Sequence, residues 1–239
     1  MEQYMNRTSA TPLYKQIYDS IKNDIATGKL KENEKIPTET ELCELYATSR
    51  ITVRKAIELL TEDGLVIKKQ GIGTFISAKK LNRVMDKVMS FSEICINDHK
   101  VPSAELISVG WVKPTAAVVR ELKIPEDEKV IRIYRLRLSN EEPVMLEETF
   151  FSQEYKYLLS TNLTASIYDC LRAHGCFPAH AKKVVEICYA KEHEAKSLHV
   201  PNKQPLILQK DTVAAEDGTI IHYSRLVVNP ERYTLTFIN

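Results

Sequence analysis

The sequence predicts an α+β protein in two parts: a helix-turn-helix with a two-stranded wing, followed by a mixed α/β domain around an antiparallel sheet. Three observations carry this expectation. Residues 37–76 read as two short capped helices and a glycine-bearing hairpin. Positive charge is concentrated in residues 50–80, where 7 Lys/Arg stand against 3 Asp/Glu in a chain of net charge +1. Beyond about residue 86, strand patterns follow one another through short turns, without the alternation with helices that a parallel sheet needs.

The first part opens at Thr11-Pro12, with Pro at a helix start where its missing N–H does no harm. Leu13, Ile17, Ile21 and Ile25 recur every four residues and mark a buried stripe that ends at Gly28. Thr38 and Glu41 form a capping box for the next helix, whose apolar face is Leu42, Leu45 and Tyr46. Ala47-Thr48 makes the turn, and Ser49 caps a further helix with the stripe Val53, Ala56, Ile57 and Leu60. Its other face carries Thr52, Arg54 and Lys55, with Arg50 in the first turn. Cations there oppose the helix dipole, and a polyanion lying across that end resolves the conflict. Gly64 stops the helix. Residues 65–67 and 74–76 are apolar enough for two strands, joined by Lys68-Lys69-Gln70-Gly71-Ile72-Gly73. A basic tip with two glycines lets backbone approach a partner closely.

The chain has 239 residues, 44% apolar and 27% charged, which places it among globular proteins of one large or two ordinary domains. The expected division is a DNA-binding domain at 8–76, a Lys-rich linker at 77–85 and a second domain at 86–239. Five cysteines without a C-x-x-C spacing, an opening MEQYMNRTSA with no apolar core and the absence of a membrane-length apolar run lead us to expect a cytoplasmic protein with free thiols. No cofactor motif is present.

In the second part, strands are expected at 105–113, 129–139, 144–151, 183–190, 205–215, 219–229 and 234–238, and helices at 91–98, 115–122, 153–160, 165–174 and 191–198. Asn140 to Glu142 and Asp217-Gly218 join hairpins. On the strand 129–139, Ile131, Ile133, Arg135 and Arg137 share one face. Two arginines continuing an apolar face are costly unless something anionic meets them. Glu147 falls opposite across the hairpin, so two readings stay open: a cross-strand salt bridge, or a pocket in which Arg135 and Arg137 hold a phosphate or carboxylate. In the pocket reading Ser92 and Ser166 assist, Glu147 accepts from ligand hydroxyls, and Phe91 and Tyr168 form walls. The string Cys170, His174, Cys176, His180 has metal-ligating residue types, but Gly175 and Pro178 break the helix beneath it, and helix core plus loop is the better reading. Trp111 is expected in the core and Lys182-Lys183 on a solvated face.

The segment SRITVRKAIELLTEDGLVIKKQGIGTF, with PLYKQIYDSIKNDIATGKL before it, closely resembles the DNA-binding domain of GntR-family bacterial transcription regulators. The resemblance implies that Arg50, Thr52 and Arg54 read DNA and that Gly71 sits at the wing tip in the minor groove. Thr38, Glu39, Ser49 and Lys55, with Lys69, Gln70 and Gly73 on the wing, complete the candidate DNA contacts. Where the family often has arginine after Ser-Glu, this chain has Thr38-Glu39-Thr40. The second part resembles the UTRA effector domain of the HutC-like branch, through Met89 to Glu93, Ile133 to Arg137, Pro143 to Glu147, Ser166 to Leu171 and Asp217 to Ser224. It implies a chorismate lyase-like fold and a small effector, commonly a phosphorylated sugar, at Phe91, Ser92, Arg135, Arg137, Glu147, Ser166, Tyr168, His222 and Tyr223. His222 and Val228 replace residues usual in the family, Glu and Tyr.

The leading functional expectation is a repressor that binds double-stranded operator DNA as a homodimer and answers to a small anionic effector such as a sugar phosphate. Two other classes stand beside it. One is a chorismate lyase-like enzyme fused to a DNA-binding domain, against which no nucleophile–base pair, metal motif or phosphate loop stands out. The other is an architectural DNA-binding protein with no ligand.

Overall fold

The computed structural model describes residues 10–69, 71–77 and 80–238, and the chain divides into two units between Lys79 and Lys80. The first unit holds three helices, α1 (Leu13–Ala26), α2 (Glu39–Leu45) and α3 (Arg50–Glu62), and a hairpin of β1 (Val66–Lys69) and β2 (Gly73–Ile76). Its core gathers the expected stripes: Ile17 and Ile21 from α1, Leu42 from α2, and Val53, Ala56, Ile57 and Leu60 from α3. The caps form as the sequence requires. The backbone N–H of Thr38 donates to the Glu41 carboxylate at 2.7 Å, and the N–H of Glu41 donates back to the Thr38 hydroxyl at 3.3 Å. Ser49 Oγ accepts from the N–H of Thr52 at 3.3 Å. The turn between the helices bends through Ala47, whose φ of 45° is left-handed.

In the hairpin, Lys69 stands opposite Gly73, and Lys35 adds a bridge to Phe75 on the outer side of β2. Gly73 has φ 140°, and a Cβ there would lie 2.5 Å from Lys35 Cε. Glycine at 73 is therefore favoured by its backbone conformation, while the end of the Lys35 side chain is free to move aside.

The second unit begins with a strand. Residues 81–84, expected within the linker 77–85, form β3 (Leu81–Val84), which pairs in parallel with the last strand, β10 (Tyr233–Thr236). That correction shortens the connection and moves the start of the unit to residue 80. Leu81 and Arg83 point inward and Asn82 outward, a period of two hidden by the polar composition.

Six strands form one antiparallel sheet: β4 (Pro102–Val112), β5 (Val130–Ser139), β6 (Glu142–Phe151), β7 (His180–Tyr189), β8 (Pro205–Ala214) and β9 (Ile220–Val228), in the spatial order β4-β5-β6-β9-β8-β7. The β5–β6 turn uses Asn140 and Glu141, both with positive φ, the geometry that suits a right-twisted hairpin. One face carries Ile131, Ile133, Phe151 and Ile221 beneath a 3-10 segment (Gln153–Ser160) and α6 (Ile167–Ala173), while α4 (Phe91–Asn97) packs with Met145, Val228 and β3. The alternate residues, including Leu136, Leu146 and Val227, meet α7 (Glu192–Leu198), and Val130, Phe150 and Tyr223 meet α5 (Ala116–Leu122). Trp111, expected in the core, lies on the edge strand β4 and is 42% exposed. Among the described residues no helix is long and apolar enough to cross a membrane.

Candidate functional site

On the first unit, the candidate DNA contacts gather on exposed surface. Ser49, Arg50, Arg54 and Lys55 are exposed, as are Thr38 at the N-cap of α2 and Lys69 and Gly71 on the wing; Thr52, Glu39 and Gly73 are half-buried. Gln70 lies outside the described residues. Arg54 Nε donates to Glu39 at 2.8 Å, and Arg50 reaches the Thr40 hydroxyl at 3.4 Å. The ammonium of Lys55 sits 4.3 Å from the Tyr14 ring centre, and that of Lys69 sits 4.8 Å from Phe75. An exposed ion pair of the Arg54–Glu39 kind is worth about 0–1 kcal/mol. A bidentate contact to guanine discriminates by about 1–3 kcal/mol. A base contact of that size would outweigh the Arg54–Glu39 pair.

On the second unit, one cleft gathers eight of the nine candidate ligand residues: Phe91, Ser92, Arg135, Arg137, Glu147, Ser166, Tyr168 and His222. The cavity within it has a volume of about 60 Å³. The ninth, Tyr223, is not there. It follows His222 on β9, so its side chain falls on the other face of the sheet, where it stacks with Phe150 at 6.3 Å. Four further residues reach the cleft from strands distant in sequence: Arg83 on β3, Lys183 on β7, and Gln209 and Asp211 on β8. Lys182 and Lys183 part company, since Lys182 meets Glu121 at 3.2 Å on the surface while Lys183 turns inward onto Asp211.

The register sets Arg135 directly opposite Glu147, and the two form the expected cross-strand ion pair within the wall of the cleft. Arg135 also donates to the carbonyls of Leu163 and Ala165 at 3.0 and 3.1 Å. Arg137 donates to Ser92 Oγ at 3.2 Å, stands 3.8 Å from the Glu147 carboxylate and lies over the Phe91 ring at 4.8 Å. Ser166 caps α6 by accepting from the N–H of Asp169 at 3.2 Å. Gln209 donates to both oxygens of Asp211, at 2.9 and 2.8 Å.

The electrostatics follow from burial. Burial brings the Arg137 guanidinium down to about 10, against the pull of Glu147. Burial alone would raise the Glu147 carboxyl, but Arg135 and Arg137 outweigh it and hold it below the usual carboxylate range. Burial, with Asp211 and Glu147 nearby, raises the Tyr168 phenol. Its hydroxyl is 3.1 Å from His222 Nε2. Burial depresses His222 to about 4, against the attraction of Glu147.

That last shift sets a pH dependence. The unfolded chain protonates His222 near pH 6.5, while the folded one resists until about 4. Between those values the unfolded state binds more protons, so stability falls as pH drops through the window, by on the order of 3 kcal/mol in all. Glu147, with its depressed folded pKa, contributes stability that is lost only at lower pH, as it is protonated. His222→Gln is therefore expected to flatten the loss between pH 6.5 and 4 in urea unfolding. A mutant that loses stability as steeply as the wild type there would refute the assignment.

Eight buried side-chain polar atoms lack a hydrogen-bond partner among the described residues, and five of them belong to this cleft: Arg83 Nη1, Arg135 Nε, Arg137 Nε, Gln209 Oε1 and His222 Nδ1. Orphaned buried polar atoms are uncommon in folded proteins, and their concentration here marks a place built to meet something polar. Four cations line the cleft against the carboxylates of Glu147 and Asp211, so the complement is an anion. Among the described residues no group of three metal-ligating side chains converges, and His174 of the Cys/His string is stacked on Tyr157 at 4.0 Å.

Comparison with known proteins agrees with both units. Residues 13–76 match the family "Bacterial regulatory proteins, gntR family", and residues 97–234 match the UTRA domain. The chain is similar to the HTH-type transcriptional regulator YurK of Bacillus subtilis, 31% identical with 97% of each chain covered. It is similar to the mannosyl-D-glycerate transport/metabolism system repressor MngR of Escherichia coli, 28% identical with 95% of each covered. Among solved structures, PhnF from Mycobacterium smegmatis has the same fold, with a TM-score of 0.71 at 20% identity over 93% of this chain and 98% of that one.

Proposed function

Because the chain belongs to the gntR family of bacterial regulatory proteins, in the HutC-like branch that carries a UTRA domain, we propose that it is a repressor released from its operator by a small anionic effector. A phosphorylated sugar is the ligand class that fits the cleft best. The observation that carries this reading is the set of orphaned atoms: guanidinium N–H groups calling for acceptors, with Gln209 Oε1 calling for a donor. A phosphate supplies the first and ring hydroxyls the second. The protein acts as a homodimer in the cytoplasm, since one winged helix reads only a half-site and operator symmetry mirrors that of the protein. The relative MngR is named as a repressor of a carbohydrate-derivative system, which supports the same class of target.

The test pairs a hexose 6-phosphate with the same hexose unphosphorylated. Isothermal titration and gel shift on a duplex selected from a random library are expected to give binding and release with the phosphate ester, and at least about tenfold weaker effects without it, as a charge-assisted contact of about 1.5–3 kcal/mol requires. Equal response to both sugars refutes the anionic reading. Turnover of either one returns the enzyme reading.

A further inference from the structure

Arg83 sits on β3, the first strand after Lys80, and is 2% exposed. Its Nη2 donates to the Lys87 carbonyl at 2.6 Å. Its Nη1 is buried without a partner, and no carboxylate is paired with it among the described ion pairs. A buried guanidinium with no counter-ion is a standing cost. Arg83 bears it at the wall of the cleft, where its charge also acts on the Tyr168 and Tyr233 hydroxyls. It stands on a different strand from Arg135 and Arg137, which share Glu147.

The strand that bears it is tied to the end of α4 by the backbone N–H of Asn82, which donates to the Asp98 carboxylate at 2.7 Å. β3 has one ladder neighbour, β10, with Leu81 opposite Tyr233 and Val84 opposite Thr236. Leu81 anchors one end of β3 in the core with Phe91 and Tyr233. From Lys80 the chain runs directly back to the DNA-binding unit, which ends at Lys79.

We infer that Arg83 is a second anion contact in the cleft, and the residue through which occupancy of the cleft is felt by the connection to the DNA-binding unit. The inference rests on the ligand-responsive reading proposed above and adds its route. A ligand shifts an equilibrium only by interacting differently with two states. An unpaired guanidinium provides that difference, being uncompensated in one state and met by an acceptor in the other. Any displacement of Arg83 toward the ligand moves a strand with one ladder partner, at the start of the second unit. The ligand class is narrowed to anions with acceptor oxygens at more than one position, such as a phosphate carried on a polyol.

The test uses the full-length protein with Arg83→Met, Arg83→Lys and, for comparison, Arg135→Met. Thermal melts are run in chloride and in inorganic phosphate at matched ionic strength. Arg83→Met is expected to melt at or above the wild type in chloride, because the orphaned cation is gone, and to gain less than half the wild-type shift from phosphate; Arg83→Lys restores part of that shift. A clear drop in the chloride melt makes Arg83 a structural residue, and an undiminished phosphate shift removes it from the anion site; either result overturns the proposal. Release from a labelled duplex by hexose 6-phosphate is then followed by anisotropy. Arg83→Met is expected to need at least tenfold more hexose 6-phosphate for release. Release at the wild-type concentration overturns the transmitting role. If the wild type itself ignores hexose 6-phosphate, the reading under Proposed function fails, while the phosphate melts still decide whether Arg83 takes an anion.

Discussion

Replacing Arg50 and Arg54 together with glutamate is expected to lower duplex affinity by at least a hundredfold in moderate salt while leaving the helical signal unchanged. Both side chains leave the solvated face of α3, and the buried stripe of that helix does not include them. Each arginine in contact with a base or phosphate is worth about 1–3 kcal/mol, and reversal adds repulsion to that loss, so about 3 kcal/mol is a lower figure for the pair. Arg54→Glu also sets a second carboxylate beside Glu39, whose partner Arg54 was. Arg54→Gln is the control that separates lost contact from repulsion. Fluorescence anisotropy against salt concentration gives the readout: the double mutant should show both weaker binding and a shallower salt slope. Affinity within tenfold of the wild type would show that α3 does not face DNA.

Removal of the Glu147 carboxylate is the second large effect, this time on stability. Arg135 and Arg137 are 3% and 2% exposed, and Glu147 is the carboxylate they share. Glu147→Ala leaves two guanidinium groups buried side by side, and breaking a buried pair in this way costs about 3–5 kcal/mol. Adding Arg135→Met should recover part of that loss by removing one uncompensated charge, though Arg137 remains. The same reasoning gives a sign that packing loss alone does not: inorganic phosphate should raise the melting temperature of Glu147→Ala more than that of the wild type, because the anion takes the place of the missing carboxylate. A mutant that phosphate stabilises no more than the wild type would mean that the arginines do not face the cleft as an anion site.

Much of the fold is legible in local chemistry. The capping boxes, the i, i+3, i+4, i+7 stripe of α3 and the alternation along β5 each fix an element from neighbours in sequence. The Arg135–Glu147 pairing is only partly legible: the turn at Asn140 and Glu141 would by itself set Arg135 opposite Leu146, and a bulge between Arg137 and Leu138 shifts the register by one to Glu147. The other half of the cleft is not. Lys183, Gln209 and Asp211 arrive on β7 and β8, brought there by the strand order of the six-stranded sheet, and Arg83 arrives on β3, which lies outside that sheet. Two signals mislead. Lys182-Lys183 resembles a solvated charge pair, although period-two geometry must send neighbours to opposite faces. Leu81 to Val84 lies in a Lys-rich stretch, so a four-residue strand with an inward arginine passes for a linker. Tyr223 errs by the same rule in reverse: a family motif names adjacent residues, but a strand gives the cleft only every second one.

The parallel ladder of β3 with β10 also bears on how the protein is made. The second unit's first strand must wait for its last, some hundred and fifty residues later in synthesis, before it has any strand to pair with. The DNA-reading unit, whose partners all lie within its own first eighty residues, is free to fold while the ribosome is still working. A chain cut short before β10 would thus keep a folded first unit while β3 was left without its ladder.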